Sequence, residues 1–256
     1  MIVRGMICAM MMALITGCED DPANPTKGGT FYGSAVAVGN GTAKSYVVLN
    51  NDGNPTELGV VMSETALAGL PAGNDHSHMG NMFTLQLPSQ ASATAFNHIS
   101  LDWNPLGYEP EQIYGLAHFD FHFYTISQQE RTGITAVGDD TVKVAAMPAE
   151  QYRPAGYVMS PGGVPQMGAH WIDPTSPELS GQTFTETFLY GSYDGKMIFM
   201  EPMITKAYLE SHPNLTEQLK LPQAYQKSGY YPTTYTVRYN ASSKEYMVTL
   251  GNMVKR

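Results

Sequence analysis

The chain has 256 residues, 43% hydrophobic and 14% charged, with 23 Asp and Glu against 14 Lys and Arg, a formal charge of −9. Its few basic residues are scattered, which gives no footprint for a phosphate backbone, so nucleic acid is not an expected partner. The two cysteines, Cys8 and Cys18, lie near the N-terminal end, so a domain formed beyond them has no disulfide, thiolate nucleophile or Cys metal ligand.

The first segment carries Arg4, an apolar run over 6–15, and then Thr16, Gly17 and Cys18. One positive charge, a short apolar stretch and small residues before a cleavage point form the three-part pattern of a secretory signal. The run is well short of the roughly 20 apolar residues that span a bilayer as a helix. The tetrapeptide Ile15-Thr16-Gly17-Cys18 resembles a lipobox. That resemblance implies a signal peptide over 1–17 and a lipid on Cys18 that holds the chain to a membrane in the bacterial cell envelope. Residues 18–30, rich in Pro, Gly and Asn, read as a flexible tether. Within it, Glu19, Asp20 and Asp21 resemble the surface-export signal of Bacteroidota lipoproteins, which implies the outer-membrane surface; a plain solvated linker is the alternative.

No charge block or second linker divides residues 31–256, so a single domain is expected. Strand-like runs over 31–38, 44–49 and 58–62 are separated by the turn signals at 39–41 and 50–55. A short helix is expected over 63–70, stopped by Pro71. Further strands are expected over 83–87, 95–103, 113–126 and 141–146. Late hairpins pair 184–190 with 197–203 around Asp194-Gly195, and 234–239 with 246–250. Beyond 63–70, helical pattern is limited to 205–211 and 215–220. Many strands, short connections and few helices predict a mainly β fold, an antiparallel sandwich or barrel with a few short helices.

The segment most suggestive of chemistry is His118-Phe119-Asp120-Phe121-His122-Phe123-Tyr124. On a strand, alternate residues share a face, so His118, Asp120 and His122 point one way and the three Phe residues the other, into a core. A row of only imidazole and carboxylate suits a divalent metal ion, zinc before others. Residues two apart on a strand are separated by about 6.7 Å, and residues four apart by about 13 Å. Two His ligands of one tetrahedral ion have Cα atoms at most about 11 Å apart. His118 and His122 can therefore share an ion only across a bend. Otherwise Asp120 pairs with one of them. A buried His-Asp-His hydrogen-bond row and a solvated polar stripe stay open beside the metal reading.

His170 stands between Gly168 and Trp171 at the end of a Pro- and Gly-rich loop, and reads as a further ligand or as a core His stacked on Trp171. Glu201, set among apolar residues, needs a partner if buried, so it is a ligand, a His partner or a strand-end group. Glu109 is a comparable loop carboxylate. His76 and His78 lie in a Gly- and Asn-rich stretch and read as solvated loop. Met197, Met200 and Met203 read as core filling rather than copper ligands. Nucleophile-elbow, phosphate-loop and His-Glu-x-x-His patterns are missing.

Four blocks, at 98–105 with Asp102 and Trp103, at 118–124, at 167–173 with His170, and at 188–205 with Glu201, resemble a family of secreted bacterial proteins catalogued as a domain of unknown function. The resemblance runs over 83–209. It implies an extracytoplasmic setting and carries no established activity. The family pattern has His at the position of Tyr108 and Pro at that of Ala117; Tyr108 counts against a ligand role for that loop. Two functions follow from these observations. One is a non-catalytic lipoprotein that binds a metal ion or small ligand through the His/Asp site. The alternative is a metal-dependent extracytoplasmic enzyme, of hydrolase or lyase type, using the same site.

Overall fold

A computed structural model describes residues 27–73 and 81–256. The signal segment, Cys18 and the pair His76 and His78 lie outside the described residues. The chain opens with β1 (Gly29–Tyr32), β2 (Val36–Val38), β3 (Gly41–Leu49) and β4 (Pro55–Ser63). A second sheet is then built from β5 (Asn81–Gln86), β6 (His98–Asn104), β7 (His118–Tyr124), β8 (Val158–Met159), β9 (Ala169–Ile172), β10 (Glu186–Tyr193) and β11 (Lys196–Thr205). The chain continues through β12 (Asn214–Gln218), β13 (Tyr230–Tyr231), β14 (Thr234–Asn240), β15 (Glu245–Gly251) and β16 (Val254–Lys255).

Strand order in the first sheet is β1-β3-β4-β15-β14-β12, with β2 also on β3. In the second sheet it is β5-β6-β7-β11-β10-β9-β8, and β13 pairs with β16 apart from both. The pairings are antiparallel and neither large sheet closes on itself, so the fold is a sandwich rather than a barrel.

Period-2 alternation explains the core. Val47, Leu58 and Leu250 come into line through the β3–β4 and β4–β15 registers, and Val60 faces Val248. Against this layer pack Ile99, Leu101 and Trp103 of β6, Phe119, Phe121 and Phe123 of β7, and Met200 and Ile204 of β11. The three Phe side chains are fully buried, and each contributes on the order of 1.5–3 kcal/mol through lost contact with water. The Asp194-Gly195 pair takes positive φ at both residues, the geometry that suits the right-handed twist of a two-residue hairpin turn between β10 and β11.

The short elements depart from expectation. Residues 141–146 form not a strand but the single turn α3 (Thr141–Ala145), with Val142 largely exposed and only Val144 buried. Without a neighbouring strand to complete a ladder, the β-branched residues have no sheet to join. Conversely, 215–220 is not helical: β12 adds to the edge of β14, register Leu215 to Val237, and buries little. The expected strand over 113–126 holds only as β7, because α1 (Glu111–Tyr114) takes its start. Residues 63–70 give a 3₁₀ turn at Glu64–Leu67 after β4 ends on Ser63. The remaining helices are α2 (Gln128–Thr132), entered through a Ser127–Glu130 capping box, and α4 (Lys206–Glu210).

The outer face of the second sheet is also buried. Small apolar clusters sit on it, one of Tyr124, Ile134, Met167, Ile198 and Phe199, another of Tyr108, Phe184, Leu189 and Met203. Loops after β6, β7, β8 and β9 supply the covering residues Tyr108, Ile134, Met167 and Phe184 respectively. Polar residues on this face are thereby cut off from water.

Candidate metal centre

Strands β6 and β7 carry matching patterns. On β6, His98, Ser100, Asp102 and Asn104 alternate with Ile99, Leu101 and Trp103; on β7, His118, Asp120 and His122 alternate with Phe. All these polar side chains are buried, and those of β7 completely. Register pairs Ser100 with His122 and Asp102 with Asp120. On the other side, the β7–β11 register pairs Met200 with Phe123 and Met203 with Asp120, which sets Glu201 opposite His122.

His122 is held between two carboxylates. Its Nδ1 lies 3.2 Å from Asp102 Oδ2 and its Nε2 3.3 Å from Glu201 Oε1. The other carboxylate oxygen, Glu201 Oε2, lies 3.5 Å from His170 Nε2. One ligand atom each from His122, His170 and Glu201 fall within 4.8 Å of one another. A tetrahedral ion with bonds near 2.0–2.1 Å separates its ligand atoms by about 3.3 Å, and each imidazole–carboxylate spacing is near that value. The two run to different oxygens of Glu201, of which a monodentate carboxylate would offer one. Both spacings are long for charge-assisted hydrogen bonds. Both ring nitrogens of His122 and Glu201 Oε2 are buried without a hydrogen-bond partner. Native interiors rarely leave such groups unsatisfied, and an ion is one thing that satisfies them. The residues present fit a divalent metal.

Asp102 is oriented by Ser100, whose Oγ donates to Asp102 Oδ1 at 2.5 Å. A carboxylate behind one imidazole nitrogen, with a ligand position at the other, is how metal-bound His side chains are usually aimed. His170 reaches the cluster from β9 on the strand beyond β10, where it pairs with Gly191. It is a strand residue, not the loop residue its flanking Gly and Pro predicted. A Cβ at Gly191 would fall 2.0 Å from the Phe199 ring, so this position must lack a side chain for the ring to lie there. Phe199 in turn stands edge-on to both imidazoles, with centroids 4.9 Å from His122 and 5.5 Å from His170.

His118 and Asp120 form a separate pair. His118 Nε2 lies 3.3 Å from Asp120 Oδ1, while its Nδ1 donates to the Leu116 carbonyl at 2.6 Å. Asp120 Oδ2 accepts from Asn104 Nδ2 at 2.8 Å and from the Tyr108 hydroxyl. β7 stays in register with β6 from end to end, so no bend brings His118 and His122 together. The partner of His122 comes from β11 rather than from Asp120. Glu109 is exposed, accepts from the Glu111 amide at 3.2 Å, and stands on the rim of a nearby cavity.

Electrostatics make the same demand for positive charge. Burial alone pushes the His122 pKa down, but Glu201 and Asp102 override it and hold the imidazole up at about 9. Burial raises the Glu201 carboxyl well above the usual range; His122 opposes this, and Asp120 and Asp102 add to it. Three carboxylates buried on one face call for compensation, by proton or by metal. At the other pair, burial lowers the His118 pKa but Asp120 more than restores it, and the Asp120 carboxyl is held down by His118 against the effect of burial.

The cluster opens on a cavity of about 500 Å³ whose lining includes His170, Glu201, Tyr108, Leu189 and Met203. Another cavity, of about 360 Å³ beside Tyr225 and Tyr231, shares none of the three cluster residues.

Fold and site together define a β-sandwich with a His/Glu cluster able to hold a metal ion among its described residues. Residues 50–103, from the turn before β4 into β6, match a family described as TTHB210-like, hypothetical protein TTHB210. The matched stretch contains Asp102 and Ser100 but ends before β7, β9 and β11, which carry the cluster. No curated protein and no solved structure matches the chain.

Asp102 had no role assigned from sequence, yet the signal was there. The β6 alternation of polar and apolar residues repeats that of β7, and two such strands side by side make a buried polar layer.

Proposed function

We propose that the protein is an exported, lipid-anchored protein of the cell envelope that binds one divalent metal ion through His122, His170 and Glu201. The observation that carries this reading is the meeting of one ligand atom each from His122, His170 and Glu201 within 4.8 Å of one another, with His122 fully buried and backed by Asp102. Zinc suits two imidazoles and a carboxylate. Asp102 orients His122, and the His118–Asp120 pair sets the charge around the site. Three protein ligands would leave a tetrahedral ion one open position, and His170 and Glu201 line the cavity, which supports binding of a small ligand there and is also what an enzyme of hydrolase or lyase type requires. Such an ion supplies Lewis acidity when bound.

The lipid anchor is supported by the segment ending in Cys18 and the acidic tether after it. Among the described residues no helix is long and apolar enough to cross a membrane. Metal analysis of the protein made without a His tag tests the centre. One equivalent of a divalent ion is expected, lost in His122→Ala, His170→Ala and Glu201→Gln but retained in His118→Ala. A protein with no stoichiometric metal and no change in thermal stability on chelation refutes it. Lipid labelling that persists in Cys18→Ala refutes the anchor.

A further inference from the structure

The cavity beside the cluster has walls that specify what enters it. Ile113, Val164, Ile172, Leu179, Leu189 and Met203 give it an apolar lining. Among the described residues that line it there is no Lys or Arg, and its carboxylates are Glu109 at the rim and Glu201 at the base. Its volume of about 500 Å³ lies in the range of small-molecule sites. Charge at the base is already matched. The two positive charges of a divalent ion would be met by Glu201 on one side and by Asp102 behind His122 on the other. With the ion's charge already met by Glu201 and Asp102, a carboxylate or phosphate arriving at the open position would bring an excess negative charge beside a largely apolar wall that offers no Lys or Arg to pair with it.

We propose that the ligand admitted at this position is a small neutral molecule with an apolar body and one uncharged lone-pair donor, and not an organic anion. This inference rests on the metal reading above. The donor takes the open coordination position while the apolar body lies against Leu189, Met203 and Ile172, exchanging water contact for the cavity wall.

The test uses the full chain loaded with cobalt(II), whose absorption bands report both occupancy and a change of ligand. Imidazole, 4-phenylimidazole and benzoate are titrated at pH 7.5. 4-Phenylimidazole is expected to bind about tenfold or more tightly than imidazole, because the phenyl ring is buried, and benzoate more weakly than either. Leu179→Trp, which fills the cavity from a wall position, is expected to keep cobalt and lose the preference for the phenyl compound. Failure to take up cobalt overturns the metal centre, and this assignment with it. Normal cobalt uptake with equal affinity for the two imidazoles, or with tighter binding of benzoate, overturns this assignment alone.

Discussion

Replacing Gly191 by Ala probes how closely the second sheet is packed around the imidazole pair. A Cβ built there lies 2.0 Å from both Cε1 and Cζ of Phe199, whereas carbon atoms pack at about 3.5–4.0 Å. The ring must therefore retreat by about 1.5 Å. It cannot do so freely, being buried and in edge contact with His122, His170 and Tyr124. Forced repacking of this kind costs about 1–3 kcal/mol. The same movement presses on two of the three proposed ligands, so metal affinity should fall on the order of 10- to 100-fold, as when a supporting group is lost. Urea unfolding of the metal-free protein measures the first effect as a lower midpoint at unchanged slope, and calorimetric metal titration measures the second. Adding Phe199→Leu to Gly191→Ala removes the offending ring atoms and should restore part of both. An alanine variant with the parental midpoint and parental affinity refutes the reasoning.

Three other perturbations have definite outcomes. Asp102→Asn keeps the fold but removes the carboxylate 3.2 Å from His122 Nδ1, and should weaken metal binding about 10- to 100-fold by competition titration. Phe121→Ala empties a fully buried position between the sheets and should cost about 3–5 kcal/mol in urea unfolding, with metal affinity per folded molecule little changed. Burial and the nearby Arg131 cation hold the His98 pKa down at about 4, below its ordinary 6.5, and its ring stacks on Tyr124 at 5.0 Å. The unfolded chain then binds the extra proton first, so the stability His98 contributes is intact above pH 6.5 and is lost as pH falls toward 4. The loss is of order 3 kcal/mol. Urea midpoints of metal-free protein should drop over that window more steeply than those of His98→Gln; parallel profiles refute it.

Much of the fold was legible because long strands buried on one side alternate plainly. The Phe119, Phe121 and Phe123 series and the Asp194-Gly195 turn point to a strand and a hairpin, and both form. Short and peripheral elements were not legible. In β12 only Leu215 is even partly buried, so no alternation marks it, and a hydrogen-bonding partner distant in sequence, β14, decides its state. In β9, four residues among Gly and Pro hide a strand that delivers His170. At the site, the β7 row and His170 were visible as residue types, and Glu201 as a carboxylate in need of a partner. Which of them meet could not be read, because the meeting depends on β11 pairing with β7 and β10 separating β11 from β9. That order is a property of the whole sheet.

On the edge away from β3, the hydrogen-bonded partner of β4 is β15, and all the strands of the second sheet lie between them in the chain. During synthesis from the N-terminus, β4 must pass that entire interval with one edge open, presenting Leu58, Val60 and Met62. The residues of β15 thus enter the middle of a sheet and not its margin. A premature stop before Glu245 would delete the strand that joins the early half of the sheet to β14 and β12, leaving two fragments where a lost edge strand would leave a trimmed sheet. The join between the two halves of this sheet therefore rests on one strand, β15, and on its two ladders to β4 and β14.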